Sequence, residues 1–100
     1  YMKYKDAEIR EAFSTFQSFR EECEAQINSI KMCKLALKAE LKSGRMDNIA
    51  YQHTLTLLNK QIRELEFRVS TQKYELINKY ISEGISYDTI ESYMNKKNNI

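Results

Sequence analysis

Apolar residues recur along the first part of the chain with the alternating steps of three and four that are typical of a heptad repeat. With Ile9 at position d, the a and d positions from Ile9 onwards hold only two polar exceptions, Arg20 and Lys34. Position g, which lies beside position d on the helix, holds further apolar residues, so the apolar face is wider than the narrow seam of a two-stranded coiled coil. The pattern predicts a helix over about residues 6–42 that packs within a bundle. Its apolar a and d residues are Ile9, Phe13, Phe16, Cys23, Ile27, Ile30, Leu37 and Leu41.

A second and more regular heptad predicts another helix over about residues 47–83. Gly44 and Gly84 mark the ends of the two helices, because glycine adopts the left-handed conformation found just after a helix C-terminus. Asp47 is a candidate N-cap for the second helix. The connection is short, so we expect an antiparallel pair; one helix kinked at Gly44 is the alternative. The heptad residues are Tyr51, Leu55, Leu58, Ile62, Leu65, Val69, Gln72 and Leu76.

A short third helix is predicted over about residues 86–95, followed by a frayed tail at 96–100. Ser86 is its candidate N-cap, and Asp88 lies in the first turn, where the helix dipole favours an acidic side chain. The predicted fold class is therefore all-α, with a long antiparallel, coiled-coil-like hairpin and a short C-terminal helix. The length of 100 residues predicts a single helical domain over residues 1–100.

The second helix carries more apolar surface than one inter-helix seam can bury. Three large apolar residues, spaced seven apart, lie on the side of this helix that faces away from the seam. Two more lie near the C-terminal end of the same helix. The third helix could cover Phe67, Tyr74 and Ile81 with Ile90, Tyr93 and Met94. We also expect two copies to associate as a homodimer in a four-helix bundle, which is compatible with that fold-back. Another protein could also bind there. The predicted apolar partner-binding residues are Phe67, Tyr74, Ile81, Ile77 and Tyr80.

Composition narrows the class of protein. The chain has no proline, two glycines and 42% hydrophobic residues, which argues against an all-β sandwich and against low-complexity disorder. Its apolar runs are too short for a membrane span, so no membrane partner is expected. Cys23 and Cys33 lie too far apart on one helix to form a disulfide with each other. Two reduced cysteines suit a cytoplasmic location.

Basic residues are organised more clearly than the net charge of +2 indicates. Residues 31–60 include six basic and two acidic side chains, a local charge of +4. Such a stripe can bind the phosphate backbone of a nucleic acid or an acidic protein, or it can simply complement the helix dipole. The predicted basic partner- or phosphate-binding residues are Lys31, Lys34, Lys38, Lys42 and Arg45.

The sequence contains few residues that could support catalysis or bind a metal ion. His53 is the only histidine, and the heptad places it on the outer face of the second helix. One histidine and two separated cysteines match no common metal-ligand spacing, and no glycine-rich phosphate loop is present. The C-terminal helix, glycine turn and short helix could form a helix–turn–helix, but it is poorly suited to binding DNA. Asp88 and Glu91 would lie near the phosphates, which carry the same negative charge. We therefore expect no enzyme activity, no catalytic residue, no metal and no cofactor.

The sequence is thus interpreted as a non-enzymatic protein–protein interaction module. Its small size and composition would suit a phage or mobile-element regulator or inhibitor that binds a host protein through a helical surface. Two alternatives remain open. One is a small nucleic-acid-binding protein that uses the basic residues, and the other is a structural component of a larger assembly.

Overall fold

The computed structural model describes the backbone of residues 2–95 and the side chains of residues 6–95. These residues form three helices, α1 (Met2–Lys42), α2 (Asn48–Ser82) and α3 (Tyr87–Asn95). The predicted fold class is confirmed: the two long helices pair as an antiparallel hairpin, and a short third helix follows. Helix α1 begins four residues earlier than the apolar pattern predicts. The expected frayed tail, 96–100, lies outside the described residues.

The turn between α1 and α2 is stabilised at both helix ends, as the sequence predicts. Gly44 has a φ of +82°, the left-handed conformation that commonly ends a helix. The N–H of Arg45 donates to the carbonyl of Glu40 at 3.1 Å, which satisfies a carbonyl that the helix end leaves unpaired. On the other side, Asp47 Oδ1 accepts a hydrogen bond from the N–H of Ala50 at 2.8 Å. Asp47 is therefore the N-cap of α2.

The turn between α2 and α3 repeats this arrangement. Gly84 has a φ of +94°, and the N–H of Ile85 donates to the carbonyl of Tyr80 at 3.1 Å. The Ile85 side chain also packs against the buried cluster that contains Tyr80. The Ser86 hydroxyl accepts a hydrogen bond from the N–H of Thr89 at 3.3 Å, so Ser86 is the N-cap of α3. The glycine turn thus sets the path of the chain into α3.

The chain divides into two compact units. The first combines the chain up to Arg20 with the chain from Val69 onwards, and it contains segments of all three helices. The second, Glu21–Arg68, contains segments of α1 and α2 and the turn that joins them. They are called the three-helix unit and the two-helix unit below.

The three-helix unit has an enclosed apolar core. Its buried members come from α1 (Ile9 and Phe13), α2 (Ile77 and Tyr80) and α3 (Ile90), and Tyr80 and Ile90 are 0% exposed. Two of the rings are in contact range: the centroid of Phe13 lies 6.3 Å from that of Tyr80. Each helix therefore contributes at least one side chain that the other two enclose.

Two predictions about α2 are wrong. The heptad places Ile77 and Tyr80 in an exposed partner-binding surface, and both are buried. It also places Gln72 in the seam, and Gln72 is exposed. Ile77 is buried in the cluster that Ile90 of α3 completes, whereas the burial of Tyr80 follows from the period of the apolar pattern. The step from Val69 to Tyr80 is one of eleven residues, a repeat of about 3.67 residues per turn, which is nearer than a heptad to the period of a straight helix.

Helix α3 folds back onto the part of the predicted surface formed by Ile77 and Tyr80, and it leaves Tyr74 and Ile81 uncovered. Ile90, Tyr93 and Met94 do face the rest of the unit, as predicted. They pack against the core residues described above, whereas Tyr74 and Ile81, which the pattern places beneath α3, are exposed. The buried faces of α1 and α2 supply a better site for α3, because it can close a core that is open on one side.

The two-helix unit is built around a single seam. Cys23 and Ile27 of α1 and Ile62 and Leu65 of α2 are buried. No residue over 28–61 is buried, and the seam side chains there are only half-buried. Two helices cover a side chain from fewer directions than three, and over residues 28–61 each seam residue keeps part of its surface in water. The half-buried apolar residues are Ile30, Leu37, Leu41, Met46, Tyr51, Leu55 and Leu58.

Candidate interaction surfaces

Exposed apolar side chains of α2 lie in both units. In the three-helix unit, Tyr74 is 66% exposed and Ile81 is 44% exposed. In the two-helix unit, Phe67 is 70% exposed. These three residues have the seven-residue spacing that predicts a partner-binding surface. Their exposure is consistent with that use, and their joint role stays a prediction.

A second apolar face lies on α1 in the two-helix unit. Met32, Leu35, Ala36 and Ala39 have the spacing i, i+3, i+4, i+7, which places them on one side of a helix. All four are exposed, Met32 by 65% and Leu35 by 63%. We call this set the outer stripe. The heptad pattern leaves Met32 and Leu35 outside the seam, and a search for a second amphipathic face on the same helix would group them with the two alanines.

The predicted basic residues separate into three exposed lysines and two residues in other settings. Lys31, Lys38 and Lys42 are exposed. They fall within about 40° of one another around α1, at about 100° per residue. Lys34 is half-buried in the seam. The structure thus brings three of the predicted residues onto one edge of α1, beside the outer stripe.

Arg45 is engaged by a neighbouring carboxylate. Its Nη2 donates to Glu40 Oε2 at 2.8 Å, and its Nε lies 3.2 and 3.1 Å from the two carboxylate oxygens. These hydrogen bonds lower the pKa of Glu40, because the guanidinium stabilises the ionised carboxylate. Arg45 therefore offers less positive charge to a ligand than its place in the sequence pattern indicates.

An open groove of about 520 Å³ lies in the three-helix unit, along α3 and the first part of α1. Phe13, Tyr93 and Met94 supply apolar and aromatic walls. Basic side chains also line it: Arg10, Arg20 and Lys73. The sequence pattern did not predict this groove, because its shape depends on where α3 packs.

Two tyrosine hydroxyls connect the helices of the three-helix unit. The Tyr93 hydroxyl donates a hydrogen bond to Asp6 Oδ1, and Arg10 Nε lies 3.2 Å from Asp6 Oδ2. The hydrogen bond to Asp6 raises the pKa of Tyr93, since the carboxylate favours the protonated phenol. The Tyr80 hydroxyl donates to Glu8 Oε2 at 3.4 Å. Helices α3 and α2 are therefore each joined to α1 by a polar contact at the edge of the core.

The residues considered for chemistry are dispersed. His53 is exposed on α2, Cys33 is exposed on α1, and Cys23 is buried in the seam. Over residues 6–95, no group of three His, Cys, Asp or Glu side chains is arranged to hold a metal ion. In the described part of the chain, no helix has an apolar stretch of the length needed to cross a bilayer.

Comparison of the chain with protein-family models, with curated proteins and with solved structures finds no match.

Proposed function

We propose that this protein is a non-enzymatic protein-binding module that recognises its partner through exposed helical surface. The observation that carries the proposal is the exposure of large apolar side chains that share a helix face in each unit: Tyr74 with Ile81 on α2, and Met32 with Leu35 on α1, at 44–66%. Phe67 of α2 is 70% exposed as well. Contiguous exposed apolar surface on a small soluble domain is characteristic of interaction sites. Association with a second copy and association with a different protein both fall within this proposal.

The core of the three-helix unit supports this interpretation of Tyr74. Five buried residues from three helices already enclose one another there, so folding does not require Tyr74 to be covered. A large apolar side chain that is left in water forfeits about 1.5–3 kcal/mol of the stabilisation available from burial. Binding a partner recovers that contribution.

The test is a comparison of proteins captured by the immobilised chain and by its variants Phe67→Asp and Tyr74→Asp. We expect at least one protein to be enriched by the wild type and lost with one of the variants, as measured by quantitative mass spectrometry. Gln72→Glu is the matched control, because Gln72 is an exposed residue on α2 in the same unit as Tyr74 and lies about 160° from Tyr74 around the helix. It should retain the partner.

The proposal fails if the captured proteins are the same for the wild type and both variants while circular dichroism shows that all of the chains are folded. Light scattering over a concentration series separates the two kinds of partner. A mass that doubles with concentration, and that returns to the monomer value in a variant, identifies the partner as a second copy.

Nucleic-acid binding is the second candidate function. The exposure of Lys31, Lys38 and Lys42 on one edge of α1 favours it. If the three lysines contact phosphates, log affinity should fall with log salt concentration with a slope of about −3. Reversing all three charges to glutamate should then abolish binding to a short duplex. Unchanged binding would remove this candidate.

A further inference from the structure

The outer stripe has the form of one half of a helix–helix contact. Met32 and Leu35 stand beside Ala36 and Ala39, so large side chains adjoin small ones along about two turns of α1. Interaxial distances at helix contacts depend on the side chains between the axes, and alanines allow a close approach. An amphipathic helix with apolar residues at i, i+3, i+4 and i+7 has the complementary shape.

The two edges of the outer stripe differ in charge. Lys31, Lys38 and Lys42 lie along one edge, where all three are exposed. Over residues 31–42 the one carboxylate is Glu40, which Arg45 engages through a bidentate contact. The surface is therefore an apolar strip with a continuous positive border on one side.

This charge pattern argues against a second copy as the occupant. When two identical helices pack antiparallel through the same face, like edges meet, so the three lysines would face their own copies. Like charges that face each other across an interface cost free energy and suppress that partner. A parallel pair would offer the lysines only Glu40, whose carboxylate already binds Arg45.

We propose that the outer stripe of α1 binds an amphipathic helix of another protein, which carries acidic residues along the edge that meets Lys31, Lys38 and Lys42. The inference rests on the proposed protein-binding function and assigns one partner chemistry to one surface. The apolar strip supplies contact area, and the lysine border sets the orientation of the bound helix through charge complementarity.

The experiment is a selection from a displayed library of helical peptides against the full-length chain. Leucine is fixed at four positions spaced i, i+3, i+4 and i+7, and the flanking edge positions vary among glutamate, lysine and glutamine. We expect glutamate to dominate one edge of the selected peptides. Equal recovery of lysine and glutamate would overturn the proposal.

The selected peptide is then synthesised, labelled and titrated by fluorescence anisotropy. Leu35→Glu should lower its affinity about tenfold or more, because the variant keeps the helix but removes apolar contact area. Lys38→Glu should also weaken binding. Ile49→Glu is the matched control, since Ile49 is 82% exposed on α2 and its loss should leave the affinity unchanged. A peptide that binds all of these variants equally would overturn the proposal.

Three outcomes separate this inference from the proposed function and from its alternatives. Loss of captured protein with Tyr74→Asp, without enrichment of glutamate in the library, would reject the inference and leave the proposed function standing. A dimer that Leu35→Glu converts to a monomer would overturn it in favour of a second copy. A short DNA duplex that displaces the peptide and depends on the three lysines would overturn it in favour of phosphate binding.

Discussion

The three-helix unit and the two-helix unit are built from the same two long helices, and they differ in how well those helices are buried. In the three-helix unit, Tyr80 and Ile90 are inaccessible to solvent. In the two-helix unit, Cys23, Ile27, Ile62 and Leu65 are buried, but the seam over residues 28–61 contains no buried residue. The difference teaches that a short third helix completes an enclosure that two helices provide only in part. Where no third helix is present, apolar surface stays available for a partner.

The largest effect that tests this contrast is expected at Ile90, a fully buried side chain of the three-helix unit. Ile90→Ala should lower the free energy of unfolding by about 2–5 kcal/mol. The matched change in the two-helix unit is at Ile30, a half-buried residue of the seam. Ile30→Ala should cost less, about 1 kcal/mol, because part of its side chain is already in water. Urea denaturation followed by circular dichroism measures both, and equal losses would contradict the contrast.

A smaller effect is expected at the two glycine turns. Gly44 and Gly84 both have positive φ, and the space that an added Cβ would occupy is open at each, so alanine at either site meets backbone strain alone. Each substitution should cost about 1–2 kcal/mol. Only Gly84→Ala should also raise amide hydrogen exchange in α3, because that turn directs α3 onto the core. An unchanged exchange rate in α3 would show that its docking does not depend on this turn.

The smallest effect concerns the alkaline stability of the three-helix unit. Hydrogen bonding to Asp6 raises the pKa of Tyr93 above its ordinary value of about 10. The folded pKa is the higher one, so the stabilisation is fully present below a pH of about 10 and is lost as the pH rises through the folded pKa. In Tyr93→Phe, the urea midpoint should be lower at neutral pH and should fall less between neutral and strongly alkaline pH than in the wild type.

Tyr74→Phe is the control for this measurement, since Tyr74 lies in the same unit and is 66% exposed. It should follow the wild-type dependence on pH. A Tyr93→Phe profile that coincides with the wild-type profile would show that the contact with Asp6 does not stabilise α3.

Local signals predicted most of the fold. The two glycines, Asp47 and Ser86 each act within a few residues of their own position, and the structure confirms all four as caps or helix ends. Capping depends on backbone groups that a helix end always leaves unpaired, so the sequence around the end is sufficient to recognise it.

The packing of α3 was not predictable from the same signals. Its apolar residues were identified, but the surface that they cover depends on how the buried faces of α1 and α2 combine, and an amphipathic pattern does not specify its partner. The heptad, continued past Val69, places Gln72 in the seam and leaves Tyr80 outside it. The burial of Tyr80 follows from the period of a straight helix, which a coiled-coil template does not represent, and Ile77 is buried in the cluster that α3 completes.

The candidate surfaces were predicted in part. Exposure of Tyr74 and of Lys38 follows directly from helical position, since each lies away from the seam. The contact between Arg45 and Glu40 depends on the geometry of the turn after α1, and it was therefore not visible in a pattern of residue spacings.

The unequal exposure of the two thiols has a practical consequence for optical experiments. Cys23 is 3% exposed, whereas Cys33 is exposed and lies next to Met32 in sequence. A thiol-reactive dye will therefore modify Cys33 first under native conditions, so labelling at this position requires no introduced cysteine. The dye would stand beside the surface proposed to bind a helix, so its emission can report occupancy of that surface directly.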